Sequence, residues 1–316
     1  MYSCYWTNAT AETLVHVGRG HEQPVVIRFR LYHKFCFAPN PHLVAFARQY
    51  QPRSTAASNF PVVNFSSLVF ISFASKTEAS IAEYSTLFRV GNFQSLQKIV
   101  IRLIANQIPG QYPSPTKLWR NFFQYLRSAT PLSLSTIEVN ITGPTASQVS
   151  FEDLPDLQTF ILLNLKTNLF HSLSATNLLT MCACWPTLTC LQISGVDQIT
   201  IGFSSLVEIA VQLPYLEDLE IQINCTTFLT ITDVPVLRHD LKALKLSPLH
   251  LENHIALACC IDKIFPELVV LNISGSLPVL KPGVGKEIQE IYEGLRQSAR
   301  KDQRERDNVS VPSTSH

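Results

Sequence analysis

The sequence is poor in charged residues, which make up 16% of its 316 positions, and it has no marked excess of either sign. The formal net charge is +1 at pH 7 and the isoelectric point is near 7.6. No long-range field therefore directs the chain to nucleic acid or to an anionic membrane, and we expect neither as a partner. Hydrophobic residues make up 46% of the sequence, which excludes a disordered protein.

Targeting segments are also lacking. No apolar run approaches the roughly 18 residues of a membrane-spanning helix. The first residues, Met1 to Trp6, do not begin a basic and then apolar signal peptide. We therefore expect a cytoplasmic or nuclear protein, in which the eight cysteines are free, mostly buried thiols rather than disulfides.

A short phrase recurs along the chain: an anchoring leucine, two variable residues, an apolar residue, one variable residue and a second apolar residue. Its occurrences are Leu68/Ile71/Phe73, Leu96/Ile99/Ile101, Leu134/Ile137/Val139, Leu157/Phe160/Leu162, Leu188/Leu191/Ile193, Leu216/Leu219/Ile221, Leu241/Leu244/Leu246 and Leu268/Leu271/Ile273. The anchors are 28, 38, 23, 31, 28, 25 and 27 residues apart. Leucine-rich repeats span about 20–29 residues per unit and contain the phrase L-x-x-L-x-L.

Proline and helical periodicity support the same register. Proline lies two residues before four of the anchors, where it ends a helix and cannot donate to a sheet: Pro155, Pro186, Pro214 and Pro266. Apolar residues at steps of three and four predict helices between the strands, at residues 117–128, 173–185, 204–213 and 252–264. The fold predicted is an α/β leucine-rich-repeat solenoid, a horseshoe-like arc with eight parallel strands on its concave face and helices outside.

The strand phrase also predicts where a partner binds. Alternate residues of a strand point to opposite faces, so the residues between the apolar anchors leave the core on the concave face. This face is predicted to be basic at one end, apolar in the middle and acidic further along, and to meet a partner with a basic and an apolar element. The candidate partner-binding residues are Lys98, Arg102, Glu138, Ile161, Leu163, Asp218, Glu220 and Lys245.

The phrases LPYLEDLEI, WPTLTCLQI and FPELVVLNISGS resemble the leucine-rich-repeat region of fungal, mushroom-type F-box proteins, in the ribonuclease-inhibitor-like superfamily. The resemblance covers about residues 60–280. It implies a substrate receptor of a ubiquitin ligase, in which the repeats hold a client protein and an F-box binds a Skp1-type adaptor.

The sequence departs from that family at its N-terminal end. Residues 1–59 contain no Leu-Pro-x-Glu phrase of an F-box and are a poorly defined segment or a degenerate repeat. A Skp1-type adaptor is therefore expected only if an F-box exists upstream. The alternative function is a non-ligase interaction or structural repeat protein. Residues 281–316 are predicted to form a terminal helix, with Ile288, Ile291 and Leu295 on one face, and a tail that is disordered after Arg300.

No motif predicts catalysis, a cofactor or a metal. The pair His250 and His254 has helical spacing, but HLENH is not the zinc motif HExxH. Cys182, Cys184 and Cys190 could approach one another, yet the first two are expected on an apolar helix and the third on a strand. The glycines at 281–286 lack the spacing of a phosphate-binding loop. We therefore expect a binding protein rather than an enzyme; an enzyme would instead have a deep pocket lined by titratable groups.

Overall fold

The structure is a computed structural model. It describes residues 11–15, 25–31, 63–65, 68–75, 80–104, 114–130, 132–143, 149–196, 198–225, 231–249, 251, 253–274 and 283–309. The chain forms two compact units, Met1–Ser172 and Leu173–His316, and both are mixed α/β.

The first unit contains a mainly parallel sheet in which β1, β2, β4, β6, β7 and β9 follow one another. Only the pair β1 and β2 is antiparallel among these neighbours. The short strands β3 and β5, and β8 and β10, form further parallel pairs. The strands are β1 (Ala11–Val15), β2 (Val25–Leu31), β3 (Val63–Asn64), β4 (Leu68–Ser75), β5 (Gly91–Asn92), β6 (Lys98–Ile104), β7 (Thr136–Thr142), β8 (Val149–Ser150), β9 (Asn164–Thr167) and β10 (Phe170–Leu173).

Two helices of the first unit, α1 (Ser80–Val90) and α2 (Pro115–Ala129), pack on one face of this sheet. The ring of Phe73 on β4 stacks on Tyr84 of α1, with centroids 4.1 Å apart. Phe88 of α1 then meets Phe122 of α2 at 5.6 Å. Pro115 begins α2 as its first residue, where a missing N–H costs nothing. The helix predicted at 117–128 is therefore confirmed.

The second unit contains the strands β11 (Cys190–Ile193), β13 (Asp218–Asn224), β14 (Ala243–Leu249) and β15 (Val270–Ile273), which pair in this order and are all parallel. Its other elements are β12 (Gln198–Ile199) and the helices α3 (Ala175–Cys184), α4 (Ser204–Gln212), α5 (His254–Ile264) and α6 (Val284–Val309). Helices α3, α4 and α5 coincide with three predicted helices to within two residues at each end.

A proline turn joins helix to strand three times in the second unit. The amides of the anchors Leu188, Leu216 and Leu268 donate to the carbonyls three residues earlier, at 3.0, 3.1 and 3.2 Å. Each accepting residue is also the buried C-cap of the preceding helix, so one apolar side chain fixes where the helix ends and where the strand begins.

The strand predicted at 157–162 is wrong. Residues Leu157–Thr159 form a 3-10 turn, and the strand that pairs with β7 is β9, which begins at Asn164. Leu157 has the same anchor turn as the true strands, its amide donating to the Leu154 carbonyl at 3.1 Å. The chain then makes a second turn before the strand. Register makes Leu162 the true anchor, which corrects the intervals around it from 23 and 31 to 28 and 26 residues.

The terminal helix α6 is longer than the sequence indicated. It continues to Val309, beyond Arg300, where disorder was expected. Lysine, arginine, glutamate and glutamine dominate this extension, and all are good helix formers. Ile288 and Tyr292 are buried, and the Tyr292 hydroxyl donates to the carbonyls of Phe265 and Leu268. Gly285 permits the close approach to β15, since a Cβ there would lie 2.6 Å from the Ile273 carbonyl oxygen.

Candidate partner-binding surface

One face of each sheet is buried under helices and the other is not. In β13 and β14 every second residue is buried, and the residues between them are partly exposed. The same alternation runs through β7 until its end. We call the partly exposed side the strand face of each unit. Sheets whose helices cover both faces have strands buried on both sides, which is not the arrangement here.

The strand face of the first unit has two rows of chemically useful residues. Backbone register aligns Ser72, Val100, Glu138 and Lys166 in one row. It aligns Ala74, Arg102 and Asn140 in the next. Val100 is only 4% exposed, so the polar residues around it form most of the accessible surface.

Charges on this face are partly paired with one another. Lys98 Nζ donates to Glu138 Oε1 at 2.6 Å, diagonally across β6 and β7. Lys166 stands directly opposite Glu138 on β9. Among the described residues, neither Arg102, which is exposed, nor Lys166 has an ion-pair partner. The predicted basic end of the surface is therefore retained after pairing.

The strand face of the second unit is less acidic than the sequence indicated. Glu220 and Lys245 are register partners on β13 and β14, and Lys245 Nζ lies 2.6 Å from Glu220 Oε1. Asp218 accepts a hydrogen bond from Gln192 Nε2 at 2.7 Å, and Cys190 Sγ lies 3.7 Å away. Charge pairing across neighbouring strands leaves Asp218 as the one carboxylate of this face without a cationic partner in the described chain.

Ile161 and Leu163 are not strand residues, because the fourth strand begins after them. Both are exposed, at 61% and 40%, in the segment between the 3-10 turn and β9. The predicted apolar centre of the strand face is therefore wrong. Asn164 and Lys166 hold the corresponding strand positions, and sequence reasoning missed both. Counting 28 residues from Leu134 to Leu162 would have found them.

The candidate chemical sites do not assemble in the described chain. The six described cysteines are free thiols, and Cys182, Cys190, Cys225 and Cys260 are buried. Burial raises the pKa of Cys182 and of Cys225 to about 12, which keeps both as unreactive thiols. No group of three or more potential metal ligands occurs among the residues that the structure describes.

The histidine pair is also separated by the fold. His254 is the first residue of α5, and its Nε2 lies 3.0 Å from Glu287 Oε1 on α6. Asn253 caps the helix by accepting the Ala256 amide at 2.9 Å. His250, Glu252 and the glycine segment at 281–282 lie outside the described residues. What the structure gives His254 is an interhelical contact.

Within the described part of the chain, no helix has the length and apolar character needed to cross a membrane. Comparison with known proteins gives no family: the chain matches no family model, and no curated protein matches it significantly.

Proposed function

We propose that the chain is a protein-binding scaffold of the leucine-rich-repeat type, which holds a client protein on its strand faces. Catalysis is not part of the proposal. The proposal rests on one observation: parallel strands, normally covered on both sides by helices, here alternate between buried and partly exposed residues. A face of this kind offers side chains at regular spacing on a rigid backbone, which suits recognition of another protein.

Repeat geometry within each unit supports the leucine-rich-repeat part of the proposal. Successive parallel strands are related by 28, 38 and 28 residues in the first unit and by 28, 25 and 27 between the later anchors. The inward residues are aliphatic or aromatic and fully buried, as in Ile99, Ile137 and Leu165. Burying such a side chain contributes about 1.5–3 kcal/mol.

The ligase form of the proposal has less support than the alternative without ligase function. An F-box is helical, whereas the elements described before residue 59 are the strands β1 and β2. This favours an interaction or structural repeat protein. Recovery of a Skp1-type adaptor with the tagged chain, at an amount comparable with the client, would reverse that preference.

Site-specific photo-crosslinking tests the scaffold proposal. A photoreactive amino acid is placed at Asn140, which is exposed on the strand face, and at Gln124, which is exposed on α2 of the same unit. We expect adducts of defined mass from Asn140 in cells that express the chain and far fewer from Gln124. Asn272 on β15 and Gln212 on α4 form the matched pair in the second unit.

Adducts that form equally at strand-face and helix positions would contradict the proposal, because a dedicated surface requires a difference between the two sides. Adducts from Gln124 and Gln212 alone would move the binding surface to the helices.

A further inference from the structure

We infer that the strand face of the first unit binds an acidic protein segment, through Arg102 and Lys166. The inference rests on the proposed scaffold function and adds the chemistry of the partner. It replaces the basic partner element that the sequence indicated, since Glu220 is already paired with Lys245.

Charge counting separates the two strand faces. The outward positions of β4, β6, β7 and β9 carry three cations, Lys98, Arg102 and Lys166, against Glu138, a net charge of +2. The outward positions of β11, β13, β14 and β15 carry Asp218 and Glu220 against Lys245, a net charge of −1. The first unit therefore has the face that attracts an anionic partner.

The two unpaired cations define the spacing of the ligand. Arg102 and Lys166 are two strands apart, which is about 10 Å, and are offset by two residues, about 7 Å, along the strands. Their backbones are thus about 12 Å apart on the diagonal. An extended peptide rises about 3.3 Å per residue, so carboxylates about four residues apart reach both cations.

Backbone register places two further arginines in the same rows of the sheet. On β2, Arg28 pairs with Ser72 and Arg30 with Ala74, and Glu12 of β1 pairs with Arg30. These rows also contain Lys166 and Arg102. The positive positions therefore continue across the sheet, and an acidic segment that crosses the strands meets them in succession.

A peptide fits this face better than a nucleic acid does. The whole chain has a net charge of only +1, so it lacks the general positive field of nucleic-acid-binding domains. Glu138 stands between Lys98 and Lys166 and repels a continuous line of phosphates. A peptide can place a neutral residue against Glu138 and carboxylates on either side of it.

Fluorescence anisotropy with the full chain tests the inference. The probe is a short labelled Gly/Ser peptide that carries glutamates four residues apart, and its controls carry glutamine or lysine at the same positions. We expect binding of the glutamate peptide alone, weaker at higher salt. The double variant Arg102→Glu with Lys166→Glu should weaken it by about tenfold or more.

The matched control is Lys117→Glu with Arg120→Glu, which makes the same change in charge on α2 of the same unit. We expect less than about twofold weakening from it, because only the strand face binds the probe. The neutral pair Arg102→Gln with Lys166→Gln repeats the test if charge reversal disturbs folding, as judged by circular dichroism.

Equal weakening by the strand-face and α2 variants would overturn the inference, as would a folded chain that does not bind the glutamate peptide. A single-stranded oligonucleotide that binds more tightly than the peptide, and that loses binding in the Arg102 and Lys166 variant, would replace the peptide with a nucleic acid. None of these results depends on the crosslinking contrast between Asn140 and Gln124, so the scaffold proposal can succeed where the acidic ligand fails.

Discussion

The two units build similar parallel sheets around different interiors. In the first unit, aromatic rings join the sheet to both helices: Phe88 lies 6.0 Å from Phe73, 5.2 Å from Phe93 and 5.6 Å from Phe122, between ring centroids. Most of the 18 phenylalanines of the chain precede residue 173. In the second unit the sheet and helices bury mainly leucine and isoleucine, such as Leu206, Ile209 and Leu219.

This difference accompanies a difference in regularity. Helix α2, which carries Trp119, Phe122 and Phe123 into the core, has 15 residues, whereas α3, α4 and α5 have 10, 9 and 11. The longest step between anchors, 38 residues, contains α2. Bulky interior rings thus go with a long, irregular repeat, and aliphatic interiors joined by proline turns go with short, uniform ones.

The largest effect is expected from Phe88→Ala in the first unit. Phe88 is 2% exposed and touches three other rings, so truncation leaves a cavity that its neighbours cannot fill. We expect a loss of about 3–5 kcal/mol in the free energy of unfolding. Urea titration measures the loss, and hydrogen exchange read peptide by peptide shows whether it falls in the first unit.

Leu219→Ala is the counterpart in the second unit, where a fully buried aliphatic anchor is removed from β13. The expected loss is about 2–5 kcal/mol. Gln124→Ala, on the exposed side of α2, is the control and should change little. If Phe88→Ala costs clearly less than Leu219→Ala, the aromatic cluster does not dominate the first unit.

A second contrast concerns the one anchor of the second unit that has no proline turn. The Leu241 amide donates to Nδ1 of His239 at 3.0 Å, and His239 Nε2 lies 2.8 Å from the Leu213 carbonyl. Because His239 is 5% exposed, His239→Ala leaves two buried backbone groups without partners. We expect a loss of about 2–4 kcal/mol by urea titration.

His239→Asn separates the two hydrogen bonds, since an amide oxygen can replace Nδ1 but cannot reach Leu213. We expect an intermediate loss. A loss as large as that of the alanine variant would mean that ring packing against Phe265, 5.6 Å away, matters more than the imidazole acceptor.

The first unit uses an asparagine for a similar purpose. Asn168, just after β9, accepts the Ile141 amide at 2.8 Å and donates to the Ile141 carbonyl at 2.6 Å. Asn168→Ala should cost about 1–2 kcal/mol, less than His239→Ala, because water reaches this partly buried site. Thermal unfolding and urea titration both measure it.

Asn168→Asp provides the sharper comparison. A carboxylate still accepts the Ile141 amide but faces the Ile141 carbonyl without a proton to donate, so it should not restore stability. Full stability in the aspartate variant would show that the donor half of the pair is dispensable.

The sequence predicts most of this fold because each repeat follows the same physical rule. Seven of the eight phrases begin strands, and the helices follow from apolar residues at steps of three and four. The fourth phrase misleads because Leu157, Phe160 and Leu162 are buried without forming a strand. The true strand ends its phrase with Thr167, a buried hydroxyl that accepts the Leu169 amide at 3.0 Å and that no apolar pattern detects.

The surface is only partly predictable from the sequence. Glu220 and Lys245 hold the same position in successive phrases, so alignment of the repeats predicts their ion pair. The contact between Lys98 and Glu138 is diagonal and depends on side-chain rotamers, which periodicity does not fix. The role of these residues in partner binding stays a prediction.

The smallest effects are expected from these two ion pairs, which have similar exposure. The side chains of Lys98 and Glu138 are 40% and 24% exposed, and those of Lys245 and Glu220 are 42% and 19% exposed. Double-mutant cycles with Lys98→Met and Glu138→Gln, and with Lys245→Met and Glu220→Gln, should give coupling energies of about 0–1 kcal/mol that fall with added salt. The pair in direct register should have the larger value of the two, since its carboxylate is less exposed. A coupling above about 2 kcal/mol that ignores salt would indicate charges shielded from water. The strand faces would then be covered surfaces rather than open ones, and the difference in charge between the two units could not select a partner.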